Sequence, residues 1–163
     1  VGRVVSRGSL ILVGGGARSG KSRFALARAE ALPGARVFVA TAQAFDDEMA
    51  ERIALHRATR GPGFRTVEEP LELPHALRTL ADGDEIVVVD CLTLWLSNLL
   101  VRGDDADAVL RAVGELREVV AERRRHVILV SNEVGMGIVP EHALARTFRD
   151  VAGVAHQELA RAA

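Results

Sequence analysis

In LILVGGGARSGKSRFALA, Leu10 to Ala27, an apolar run stops in glycines and a helical pattern begins a few residues later. No other stretch of the 163 residues narrows the fold so far. LILVGG is a continuous apolar segment of the kind that forms a strand covered on both faces. SRFALARAEAL is rich in helix formers and is stopped by Pro33 and Gly34. Between the two, Gly15, Gly16, Ala17, Arg18, Ser19, Gly20, Lys21 and Ser22 satisfy G-x-x-x-x-G-K-[ST]. Glycines let the backbone curl until several N–H groups point at a phosphate chain, and the helix N-terminus adds its positive end. Lys21 then reaches the β and γ phosphates, and the Ser22 hydroxyl is placed as a Mg²⁺ ligand.

The rest of the chain alternates in the same way. ARVFVAT, EIVVVDCL and HVILVSNE read as strands and FRTVEEP as a short one. DDEMAERIALHRATR reads as a helix with acids in its first turn and Arg57 and Arg60 in its last, and a further helix starts near Pro74. LTLWLSNLLV is apolar enough for an inward-facing helix or a loop followed by one. Residues 104–124 place Val109, Val113, Leu116 and Val120 on one face of another, and Pro140 is expected to open the last. Alternation of strands and helices in one short chain implies an α/β fold of the P-loop NTPase type. The expected architecture is RecA-like, a three-layer sandwich with a mostly parallel central sheet. Residues 1–163 are expected to form one nucleotide-binding domain, with 1–9 as a flexible N-terminal extension.

A P-loop works with a carboxylate on a neighbouring strand that holds Mg²⁺ through water. Asp90, ending EIVVVD, is the expected acid, with Glu133 after VILVSN a weaker rival. In the helix after the second strand, Met49, Ile53 and His56 fall at i, i+4 and i+7, so the imidazole shares the apolar face. From spacing alone, His56 is either a core histidine or a nucleophile or acid/base beside the phosphates. The residues support phosphoryl transfer or nucleotide hydrolysis coupled to something else, as in a small-molecule kinase that needs no covalent histidine, and leave open a nucleotide-sensing binding module or RecA-like assembly domain.

GGARSGKSRFA, ATAQAFDDEMAERIALHR and SNEVGMGIVPEHALARTFRDVAG together resemble the bifunctional adenosylcobinamide kinase/adenosylcobinamide-phosphate guanylyltransferase family of cobalamin biosynthesis. The similarity runs from Leu10 to about Ala160. It implies that ATP or GTP phosphorylates the aminopropanol hydroxyl of adenosylcobinamide. GTP then passes its GMP moiety to a histidine, which falls on His56, and on to adenosylcobinamide phosphate. By the same resemblance Gly15 to Ser22 hold the triphosphate, and Thr41, Ala42 and Gln43 contact the nucleotide. Arg57, Ala58, Thr59 and Arg60, with Glu68 and Asp90, complete the guanine-nucleotide site, in which Glu68 could accept from the base. The resemblance also implies a homo-oligomer, a trimer being one form it could take. Members of the family continue into a terminal strand where this sequence stops at HQELARAA, so either the sequence is incomplete or an edge strand is absent. They also tend to carry asparagine where His156 stands.

Other features set bounds. With 21 basic and 22 acidic side chains the net charge is -1, and no electrostatic footprint asks for nucleic acid. No apolar run approaches the length of a membrane span, and the single cysteine, Cys91, rules out an internal disulfide and fits a cytoplasmic protein. The run Ala121 to His126, with three arginines, is expected to be a solvated helix end. His75, His126, His142 and His156 show no metal-ligand spacing.

Overall fold

The computed structural model describes residues 7–80 and 85–163. Five strands form one fully parallel sheet in the order β1-β5-β4-β2-β3. They are β1 (Leu10–Gly15), β2 (Arg36–Ala40), β3 (Arg65–Glu68), β4 (Ile86–Asp90) and β5 (Val127–Asn132). The helices are α1 (Lys21–Glu30), α2 (Asp47–Arg60), α3 (Leu73–Thr79), α4 (Leu92–Arg102), α5 (Ala106–Ala121) and α6 (Ala143–Ala162).

The continuous apolar strands follow from burial on both sides. Side chains alternate across the pleat, so Val37, Val39, Val87, Val89, Val127 and Leu129 join α3, α4, α5 and α6 in the larger core. Phe38, Ile86, Val88, Ile128 and Val130 meet Ala25 and Ala29 of α1 on the opposite face. The result is the expected helix–sheet–helix sandwich. The carboxyl ends of β1, β5, β4 and β2 come out side by side, with Gly15 paired to Asn132 and Ala40 to Asp90. That edge is where a ligand binds in an open parallel sheet.

Helix ends are set by specific groups. Asp46 caps α2 by accepting from Met49 N at 2.7 Å, and Asp105 caps α5 by accepting from Ala108 N at 2.8 Å. The Arg36 guanidinium donates to Ala29 O, Glu30 O and Leu32 O, which closes the carbonyl end of α1.

Three expectations change here. Pro140 does not open α6, which begins at Ala143 with His142 as its N-cap; Pro140 lies in the preceding loop, where its carbonyl accepts from Arg146 at 2.9 Å. The arginine run after α5 is not a solvated end. Arg125 is 8 % exposed and donates to Leu77 O, while Arg123 donates to Gly8 O and Val120 O, so two of the three guanidinium groups serve buried or half-buried carbonyls. Of the expected N-terminal extension, residues 1–6 lie outside the described residues, but 7–9 are tied to the body. Ser9 N donates to His126 Nδ1 at 3.1 Å, Ser9 O accepts from Val127 N, and the Gly8 backbone lies so close to Arg125 O that a Cβ would stand 1.8 Å from it.

Candidate active site

The loop after β1 has the backbone that a phosphate cradle needs. A Cβ at Gly15 would lie 2.6 Å from Ser19 Oγ, so a larger residue there would push the Ser19 hydroxyl aside. Gly20 has φ 87° and forms the N-cap of α1 with no side-chain cap. The first N–H groups of that helix are therefore left for an anion rather than for a protein side chain. Lys21 Nζ donates to Gly16 O at 3.1 Å, which lays the ammonium across the loop.

A cavity of about 560 Å³ opens from this loop. It is lined by Arg18 to Ser22, by Asp90 at the end of β4, and by Met49, Ile53 and His56 of α2. The shared helix face read from the sequence is thus real, and of the two readings of His56 the core histidine is excluded: the residue is exposed to the cavity. Arg23, Arg52 and Arg60 also line it, so Asp90 faces a surplus of cations suited to a polyphosphate.

Arg60 is the unusual member. Only 8 % exposed, its guanidinium lies 3.7 Å over the Phe38 ring, and Nε and Nη1 have no hydrogen-bond partner among the described residues. Burial, with Arg57 second, pushes its pKa down, while Asp90 and Glu68 pull the other way. A buried cation without partners is costly. At a cavity wall these N–H groups are able to donate to a phosphate or a carbonyl oxygen.

The remaining expected residues divide. Gly15, Gly16 and Ala17 build the first half of the loop without lining the cavity, and Ala42 lines it whereas Gln43 does not. Thr41 is fully buried behind the wall. Arg57 and Glu68 are ion-paired to each other on an exposed surface. Ala58 and Thr59 are exposed, and the Thr59 hydroxyl turns back to Leu55 O and His56 O. Glu133, the rival of Asp90, is not in the cavity wall, but Asn132 before it is. Sequence reasoning passed over Asn132, Phe38 and Leu94. Asn132 carried a usable signal, because it is a polar residue ending an apolar strand as Asp90 is.

Ser22 and Asp90 supply two oxygen groups to the lining of one cavity, which suits a hard cation that keeps most of its water and binds phosphate oxygens. Among the described residues no group of three or more His, Cys, Asp or Glu gathers as a metal site. Burial raises the pKa of Cys91, against a smaller opposite pull from its hydrogen bond with Thr93, so the thiol stays neutral.

Comparison with known proteins settles the family. The family model described as cobinamide kinase / cobinamide phosphate guanyltransferase matches residues 11–163. The chain belongs to this family. It is 47% identical over 155 residues to the bifunctional adenosylcobalamin biosynthesis protein CobP of Pseudomonas aeruginosa, covering 91% of this chain and 86% of that one. It is 45% identical over 169 residues to CobU of Escherichia coli, covering 94% of this chain and 91% of that one. CobU of Salmonella typhimurium is 43% identical with the same coverage. The protein is therefore an enzyme of cobalamin biosynthesis. Among solved structures, a DnaB-like replicative helicase superposes with a TM-score of 0.52 at 12% identity over 88% of this chain and 44% of that one. That likeness concerns the fold alone, the RecA-like P-loop architecture. Among the described residues no helix is long and apolar enough to cross a membrane.

Proposed function

We propose that one cavity performs two transfers. In the first, the aminopropanol hydroxyl of adenosylcobinamide attacks the γ-phosphorus of ATP or GTP and the nucleoside diphosphate leaves. In the second, a neutral His56 nitrogen attacks the α-phosphorus of GTP, forming a P–N bond as pyrophosphate departs. A phosphate oxygen of adenosylcobinamide phosphate then attacks the same phosphorus, the P–N bond breaks, and adenosylcobinamide-GDP is released with His56 regenerated. Splitting one displacement at phosphorus into two is the advantage of a covalent histidine.

The observation that carries this reading is the shared cavity, in which His56, the glycine loop, Lys21 and Asp90 border one space. In the guanylyl step the loop amides and Lys21 would hold the departing pyrophosphate, where negative charge builds up. Arg60 would face the phosphate nearest His56 with its unpartnered Nε and Nη1 nitrogens. Mg²⁺, held by Ser22 and Asp90, would supply charge neutralisation of the triphosphate.

Incubation with GTP labelled on the α-phosphate tests the proposal. The label is expected on the protein in an acid-labile, base-stable form, discharged by adenosylcobinamide phosphate and lost by on the order of a thousandfold or more in His56→Ala. Label retained in that variant would overturn the covalent histidine. Phosphorylation of adenosylcobinamide without any labelled protein would reduce the enzyme to a plain kinase.

A further inference from the structure

Thr41 stands immediately beyond the last residue of β2, beside Asp90 and Cys91 of the neighbouring β4 end. Its backbone N–H donates to Asp90 O at 3.2 Å. Its hydroxyl donates to Cys91 O at 2.8 Å and accepts from Cys91 N at 2.9 Å. Its carbonyl accepts from Asn98 Nδ2 at 2.8 Å, and the same amide group donates to Pro70 O at 3.0 Å. A hydroxyl has one proton to give, and here it is spent on Cys91. The side chain is 0 % exposed, so no nucleotide reaches it.

This pattern continues the sheet one residue past its end with a side chain in place of a backbone. Asp90 is held on both sides: its own carbonyl takes the Thr41 N–H, and the next residue is gripped at both its N–H and its C=O. Cys91 is also the N-cap of α4, so the direction in which β4 hands over to the helix is fixed at the same point. Asn98, reaching back from α4, locks the clamp itself. Asp90 itself, between these anchors, lines the same cavity as Ser22.

We infer that Thr41 is a positioning residue, whose hydroxyl clamp on Cys91 aims the Asp90 carboxylate at the Mg²⁺ of the bound nucleotide. The inference rests on the reading of Asp90 as the metal carboxylate. Valine has nearly the shape of threonine but can neither donate nor accept, so Thr41→Val leaves both Cys91 backbone groups without the hydroxyl and frees Asp90 to swing. Serine keeps the hydroxyl and so keeps the aim.

The test is the affinity for GTP measured by calorimetry in Mg²⁺ and in EDTA, with melting temperature as the check on folding. The wild type is expected to bind GTP about tenfold more tightly with Mg²⁺. In Thr41→Val that gain should shrink to about twofold while the affinity in EDTA stays within about threefold, and Thr41→Ser should restore the gain. A full Mg²⁺ gain in folded Thr41→Val, or no restoration in Thr41→Ser, would overturn the inference. Should Thr41→Val fail to fold, Asn98→Ala loosens the clamp from the α4 side, and a wild-type Mg²⁺ gain in that variant overturns it equally. A wild type indifferent to Mg²⁺ would instead remove the reading of Asp90, and the inference with it.

Discussion

Two helices that each follow a central strand are held in opposite ways. α4, after β4, buries Leu92, Thr93, Trp95, Leu96, Asn98, Leu99 and Leu100, seven of its eleven residues. α2, after β2, buries one of fourteen, Arg60, at its last position. Both are amphipathic enough to fold, but α4 spends its apolar face on the sheet and on α6, whereas α2 turns Met49, Ile53 and His56 toward a cavity. The lesson is a division of labour: α4 is committed to the core, while His56 rides on α2, which buries one residue of fourteen. Local stability follows buried apolar contact, and elements that act on ligands are drawn from its low end.

Substitutions can break this contrast. The largest effect on stability is expected from Trp95→Ala, which removes a ring 1 % exposed and its hydrogen bond from Nε1 to Leu71 O at 2.7 Å, at a cost of about 3–5 kcal/mol. Leu55→Ala, on the outer face of α2 where the residue is 66 % exposed, should change stability by less than about 0.5 kcal/mol. Denaturant melts of the two variants decide the point, and a comparable loss at Leu55 would show that α2 is packed as firmly as α4.

Next comes Arg60→Met, at the root of α2. Losing the charge-assisted contacts should weaken GTP binding about 10- to 100-fold by calorimetry. Melting should be unchanged or slightly higher, because a buried cation without partners is traded for an apolar side chain of similar length. A fall in melting temperature with intact GTP affinity would make Arg60 a fastener of α2 instead of a ligand group.

The smallest effect belongs to the packed half. His156 on α6 lies 2.6 Å from Ser131 Oγ, and burial holds its imidazole below its ordinary value, with Glu133 opposing in part. As pH falls through about 6.5 the unfolded chain takes up a proton that the folded chain refuses until lower pH. The stability tied to that group is complete above this value and declines below it. In His156→Asn, the difference in denaturation midpoint between pH 7 and pH 5 should be smaller than in the wild type. An unchanged difference would place the acid sensitivity elsewhere.

Much of this was legible in the sequence because it is written locally. The glycine loop needs its φ angles and its close turn within eight residues, and strands buried on both faces announce themselves as VVV and VILV. Asp90 could be found because an acid ending such a strand has little packing reason to be there. The parts that stayed hidden depend on partners far along the chain. Arg60 is readable as a last-turn cation and, by the resemblance, as part of the nucleotide site, but only the fold brings it over Phe38, 22 positions earlier. Arg125 reads as one of a solvated run until Leu77 O is set beside it. Thr41 and Glu68, offered together as nucleotide contacts, lie in unlike places, one fully buried under Cys91 and the other on the surface with Arg57.

With no tyrosine and a single tryptophan, the emission of this protein on selective excitation of indole comes from Trp95 alone. That indole is sealed in the large core and tied to Leu71 O, on the far side of the sheet from α2. Its fluorescence will report global unfolding and stay silent to traffic at the phosphate loop. Following turnover optically will require a dye attached to the open face of α2, for which Leu55 offers the anchor point.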